Sequence, residues 1–155
     1  MEGVDNYMND GIRLVGKLEY VAKNKDGEII GTGFYYNAIQ EDLLEGLIDG
    51  LDTGTMSDID CMAIGTGTGQ GLADTTLSSY ASYESNASSF GKSQTSATVL
   101  SSQATFTATA AWTITEAGLF TDGTGAAGMF TYNDGLSQAL TSGDTLQITW
   151  TVTAA

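Results

Sequence analysis

The sequence predicts a mainly β protein, an antiparallel β-sandwich or jelly roll with an N-terminal hairpin and one short helix. Three observations carry this expectation. Apolar residues alternate with Thr over 105–114 and again over 145–153, the period of a half-buried strand. Gly and Asp pairs punctuate the chain at short intervals, as turns between short strands do. Proline is absent where usage of ~5% would supply about eight, and 20 glycines provide the chain breaks instead.

Residues 1–11 are polar and read as an arm. From 12 to 22, Ile12, Leu14, Leu18 and Tyr20 fall on one face and Arg13, Lys17 and Glu19 on the other, a half-buried strand. Lys25-Asp26-Gly27-Glu28 is a hairpin turn signal, and 29–36 is the return strand. Gly31 and Gly33 mark a bulge or a close approach within it. The period then changes. Ile39, Leu43, Leu44, Leu47, Ile48 and Leu51 follow helical spacing, with Asn37 as N-cap and acids in the first turn. A helix is therefore expected over about 37–51.

Residues 59–64 form a short apolar strand that enters Gly65-Thr66-Gly67-Thr68-Gly69-Gln70-Gly71. Residues 78–96 are Ser-rich and fit either an exposed loop or a long edge strand. Over 105–114, Phe106, Trp112 and Ile114 point inward. Strands at 116–120 and 128–132 flank a turn at 122–125. Ser142-Gly143-Asp144 turns the chain into the last strand.

Composition excludes several functions. The chain has 155 residues, enough for one domain with a real core. Its net charge is −14, and it has no His and one Cys, Cys61. Such acidity repels a phosphate backbone, so nucleic acid is not an expected partner. Without His, the commonest general base and the usual transition-metal ligand are gone. One Cys makes neither an internal disulfide nor a Cys-based zinc site. No apolar run nears the roughly 18 residues of a membrane span, and the polar start is not a signal peptide. The charge is unevenly spread: residues 1–25 are neutral, whereas 26–155 set Lys92 against 15 acids.

Candidate chemistry is thin. The glycine-rich segment 65–71 follows a strand, as a phosphate loop does, but has no P-loop Lys and the wrong dinucleotide spacing. A tight structural crossing is the expected reading. Asp58 with Asp60, and Asp122 and Asp134, invite glycosidase or calcium roles, yet they read as turn and surface acids. Cys61 reads as a small buried hydrophobe. Trp112, Trp150, Phe106, Phe120 and Phe130 read as core aromatics. No catalytic, cofactor or metal residues are assigned. Two Thr ladders, 105/107/109/113 and 145/149/151/153, lack the Lys and Glu that usually guard strands. They fit either ordinary surface or faces that pack on another protein.

Two stretches carry a resemblance. Met62-Ala63-Ile64-Gly65-Thr66-Gly67-Thr68 continues to Leu72-Ala73-Asp74-Thr75-Thr76-Leu77. Ile114-Thr115-Glu116-Ala117-Gly118-Leu119-Phe120 and the ending 142–152 accompany it. Together they resemble small β-rich virion proteins of tailed bacteriophages, which occur as capsid decoration or cement proteins and as tail-fibre or tail-tip modules. An acidic residue and an Arg follow the "DT.L" element in that pattern, whereas Ser78-Ser79-Tyr80 follow here.

The resemblance spans about 34–152 and implies a jelly-roll-like fold, with the hairpin 12–36 as an addition to a single domain over 12–155. It implies a homo-oligomer, a trimer being favoured. It further implies a non-enzymatic role on the outer surface of the capsid, after synthesis in the host cytoplasm, with the major capsid protein as partner. Neither nucleic acid nor membrane is expected as a partner. The neutral, cation-bearing N-terminal segment would make the partner contacts, through Tyr7, Met8, Ile12, Arg13, Lys17, Lys23 and Lys25. The alternative is a tail module that binds a host receptor through exposed aromatics such as Tyr80, Tyr83 or Phe90.

Overall fold

The structure, a computed structural model, describes residues 14–39, 59–71, 73–85 and 90–154. They form antiparallel β-structure arranged as a sandwich, with no helix among the described residues. The strands are β1 (Leu14–Lys23), β2 (Ile29–Ile39), β3 (Cys61–Gly65), β4 (Tyr80–Glu84), β5 (Phe90–Ser96) and β6 (Val99–Thr107). They continue as β7 (Trp112–Ile114), β8 (Glu116–Phe120), β9 (Met129–Asn133), β10 (Gln138–Leu140) and β11 (Thr145–Ala154).

Nine strands lie in one sheet, in the order β4-β3-β8-β9-β2-β1-β11-β6-β5, and β10 pairs with β7 in a small ribbon. The sheet folds over on itself. One half is β2-β1-β11-β6-β5 and the other is β4-β3-β8-β9. They meet at β2, which pairs with β1 from Ile29 to Asn37 and with β9 only at Ala38 and Ile39. At the far ends β4 comes close to β6. There Lys92 on β5 donates to the Ile59 carbonyl at 2.9 Å.

Alternation decides what is buried. Leu18, Tyr20 and Ala22 of β1, Ala104 and Phe106 of β6, and Leu146, Ile148, Trp150 and Val152 of β11 point inward. Met62, Ile64, Ala117 and Leu119 meet them from the opposite half, while Ile114, Leu136 and Leu140 close the core beside the β7–β10 ribbon. Of the expected core aromatics, Trp150, Phe106 and Phe120 are fully buried, and Trp112 and Phe130 pack against the core half-buried. Strands β3 and β8 are buried on both faces. Their outward side chains, Cys61, Ala63 and Phe120, form a second, smaller core with Leu77 and Met129.

Three expectations change. The hairpin 12–36 is no appendage: β1 and β2 stand in the middle of the nine-stranded sheet, and β1 is hydrogen-bonded on both sides. The helix expected from Asn37 does not start there, because β2 continues through Ile39. The rest of 37–51 lies outside the described residues. The alternation over 105–114 is two strands, broken after Thr107. Ala108 N donates to Asp144 O and Gly143 N to Ala108 O, both at 2.8 Å, so this stretch is held to the turn before β11 rather than to a neighbouring strand. Thr109 and Thr113 therefore do not continue the ladder of Thr105 and Thr107.

The turn of the first hairpin follows from its sequence. Gly27 N donates to Asn24 O, and Asn24 N to Glu28 O, both at 2.9 Å. Asn24 Oδ1 accepts from the amides of Asp26 and Glu28. Gly27 sits at φ +86°, the left-handed position that closes a three-residue hairpin loop.

Candidate functional site

Two regions draw attention: a clamped glycine-rich loop and the outer face of the β2-β1-β11-β6-β5 half. The loop is built around Glu116, which is fully buried at the start of β8. Its Oε1 accepts from Gly67 N at 3.0 Å and Ser79 N at 2.7 Å. Its Oε2 accepts from Gln70 Nε2 at 2.8 Å and Ser78 N at 3.0 Å. A buried carboxylate costs free energy unless its oxygens are paired, and here four donors pair them.

The glycines follow from that geometry. A Cβ on Gly65 would strike Glu116 Oε1 and Ser79 O, and one on Gly67 would lie 2.8 Å from Glu116 Oε1. Thr115 Oγ1 donates to Gly67 O at 2.6 Å, and Tyr132 OH to Gln70 O at 2.9 Å. The segment 65–71 is thus a structural crossing. Its amides already serve a carboxylate of the chain itself, so they do not form an open cradle for a phosphate. Sequence reasoning missed Glu116. Its signal was present, since two of the quoted motif stretches, 62–77 and 114–120, meet at this residue.

A second loop, 121–128, lies over the small core. Asp122 Oδ1 accepts from Gly125 N at 2.7 Å, and Oδ2 from Thr124 Oγ1 at 2.7 Å. Desolvation raises the Asp122 carboxyl, but hydrogen bonds from Thr124, Gly125 and Ala127 outweigh it and hold it below the usual carboxylate range. Beneath this loop Cys61 is buried, and desolvation with nearby Asp122 pushes its thiol up to about 12. Such a thiol is inert. Tyr80 and Tyr83 of β4 are exposed at the rim, their ring centroids 6.1 Å apart, whereas Phe90 is buried. Among the described residues no three His, Cys, Asp or Glu side chains gather as metal ligands, and no helix is long and apolar enough to cross a membrane. Asp58 lies outside the described residues.

The outer face of β2-β1-β11-β6-β5 is broad and polar without being acidic. Gln147, Thr149 and Thr151 of β11 lie between Val21, Glu19 and Lys17 of β1 and Thr105, Gln103 and Ser101 of β6. Gln103 Nε2 donates to Thr149 Oγ1 at 3.0 Å across the strands. These five strands contain one carboxylate, Glu19, paired with Lys17 at 2.9 Å. The opposite half and its loops carry Asp60, Asp74, Glu84, Glu116, Asp122 and Asp134.

Of the residues expected to touch a partner, Tyr7, Met8, Ile12 and Arg13 lie outside the described residues. Lys17 and Lys23 are on β1, and Lys25 is in the turn that follows. Lys17 Nζ stands 5.3 Å from the Phe34 ring centroid, a cation–π approach. Beside them the sequence missed Phe34 and Tyr36, two exposed aromatics on β2. An apolar recess of ≈ 250 Å³, lined by Leu14, Val99, Leu100, Val152 and Ala154 among others, opens where β1 begins. Comparison with known proteins finds no family model that matches this chain, no similar curated protein and no similar solved structure.

Proposed function

We propose that this chain is a non-enzymatic structural protein of a tailed-bacteriophage virion. It decorates the outer surface of the capsid as a homo-oligomer, binds the major capsid protein and stabilises the shell. The observation that carries this reading is the outer face of β2-β1-β11-β6-β5. It is wide, ordered by cross-strand pairs and nearly neutral, on a chain whose net charge is −14. A wide, nearly neutral surface of Thr, Ser and Gln is suited to packing on another protein. Lys17 and Lys23 lie on β1 and Lys25 in the turn after it, and the apolar recess lies beside Leu14, the first described residue. The mechanism is adhesive: arm and face bridge neighbouring shell subunits, and the acidic half faces solvent and keeps particles apart.

The test uses purified shells that lack the protein. Full-length chain should bind them in fixed stoichiometry and raise their resistance to heat or osmotic shock. Binding to host cells but not to shells refutes the reading. Deleting residues 1–11 should weaken shell binding and leave the β-sheet circular dichroism unchanged; unaltered affinity removes the arm from the mechanism. The exposed Tyr80–Tyr83 pair favours a second reading, a tail module that binds a host surface receptor. In that case Tyr80→Ala with Tyr83→Ala abolishes cell binding and leaves shells unaffected.

A further inference from the structure

We propose that the free edge of β2 is a self-pairing surface, along which two copies of this chain join their β2 strands antiparallel about a twofold axis. The inference takes from the preceding reading only that copies of the chain associate, and needs no shell. It starts from an unfinished ladder. One edge of β2 pairs with β1 from Ile29 to Asn37, while the other reaches β9 only at Ala38 and Ile39. Between Ile30 and Tyr35 no strand among the described residues takes the second edge. Asn133 Nδ2 covers the next carbonyl, that of Tyr36, at 3.3 Å. Alternate residues of an antiparallel strand turn N–H and C=O to the same side, so this edge offers a row of groups ready for another strand.

Among the described residues the edge carries few of the usual protections. Free edges are guarded by charges, prolines, bulges or a covering segment. β2 carries no charged residue, the chain has no proline, and the bulge, at Ile30 opposite Ala22 and Lys23, lies at the turn end and leaves Gly31 to Tyr35 regular. The strands at the sheet's two ends do carry charges, Glu84 on β4 and Lys92 on β5.

Side chains point the same way. Ile29, Ile30, Phe34 and Tyr36 are 62%, 44%, 60% and 69% exposed, and they account for most of the large exposed apolar residues described. The inward positions explain why. The Tyr20 ring occupies the space beside Gly33, and the Gln138 side chain fills that beside Gly31. Both glycines therefore face the core, and the bulk of the strand faces out. Lys17 holds one side of the Phe34 ring.

Charge selects the occupant. Two chains of −14 repel each other wherever their acidic loops approach. β2 is uncharged, and on neighbouring β1 Lys17 and Glu19 neutralise each other. A twofold axis across β2 sets this neutral strip against itself. A charged peptide would find nothing on this strand to read. The pairing is also self-complementary, as a twofold interface must be. Centred on Gly33, it sets Phe34 of one protomer opposite Thr32 of the partner subunit.

The experiment is sedimentation equilibrium on the full-length chain over a concentration series. A dimer mass is expected. Ile30→Lys with Phe34→Lys should weaken association at least about tenfold, and circular dichroism should be unchanged because both side chains are exposed. A nitroxide on Thr32→Cys, which labels alone because Cys61 is buried, should give one short inter-protomer distance that vanishes in the double variant. If the double variant does not fold, that distance alone decides. A monomer at every concentration, an oligomer of any size indifferent to both lysines, or no short distance overturns the proposal. A wild-type dimer that fails to bind shells tells against the decoration reading and leaves this one standing.

Discussion

Glu116 receives four hydrogen bonds from donors 37 to 49 residues away in the chain, so its consequence is local in space and distant in sequence. Replacing it by Gln keeps the shape but puts an NH₂ group where two donors already point, leaving two buried donors unsatisfied. Glu116→Gln should cost about 2–4 kcal/mol of unfolding free energy, the range for breaking a buried charge-assisted network. Denaturant unfolding followed by tryptophan fluorescence measures this, and faster proteolysis within 66–79 should accompany it. Unchanged stability would show that the clamp carries no weight. The residue was hard to read beforehand because an acid after a run of Thr looks like surface. Its burial depends on a loop that only the fold brings over it. Cys61 was easier: Asp60-Cys61-Met62-Ala63-Ile64 reads as an apolar strand, and the thiol is buried as expected.

Elements were legible where their signals are local. Alternation places β1 and β11, the turn at 122–125 places β8 and β9 on either side of it, and the Asn24–Glu28 turn is legible from its Asp-Gly pair. Alternation was misleading over 105–114, because the break after Thr107 is made by hydrogen bonds to Gly143 and Asp144, more than thirty residues on. Strand order was not legible either: the hairpin 12–36 reads as an addition because the resemblance begins near residue 34, and nothing local in it signals a central place in the sheet.

The turn before β11 also carries a pH dependence. The Thr141 amide donates to Asp144 Oδ2 at 2.7 Å and Thr141 Oγ1 donates at 2.9 Å. These bonds, the amide foremost, hold the Asp144 carboxyl below its ordinary value of 3.8, with help from Lys25 and against desolvation. A depressed folded value stabilises the native state above the unfolded value. That contribution is lost as pH falls through the folded value. Asp144→Asn should therefore melt below wild type at neutral pH, and the gap should close at pH values well below 3.8. Melting temperatures of both proteins from pH 7 downward check this. A gap constant with pH would show that the turn depends on shape alone.

At the scale of the molecule the described charge is unevenly placed. The strands of the β2-β1-β11-β6-β5 half carry one carboxylate, paired, and their turns carry Asp26, Glu28 and Asp144, whereas the opposite half and its loops carry six among the described residues. Charge of one sign on one side steers an approaching partner and fixes its orientation. If the decoration reading holds, the near-neutral face should therefore sit on the shell and the acidic loops should face solvent. Single reactive cysteines read this directly, because the native Cys61 is buried and its thiol is pushed up to about 12. Gln147→Cys places a thiol in the middle of the outer face of β11, and Ala127→Cys places one on the exposed loop over the small core. Both should react with maleimide in the free protein. On shells, Gln147→Cys should become protected and Ala127→Cys should stay reactive. The reverse pattern would turn the molecule over and assign adhesion to the acidic half, where the Tyr80–Tyr83 pair lies. Equal reactivity at both positions would mean that neither face meets the shell, leaving the arm as the sole anchor.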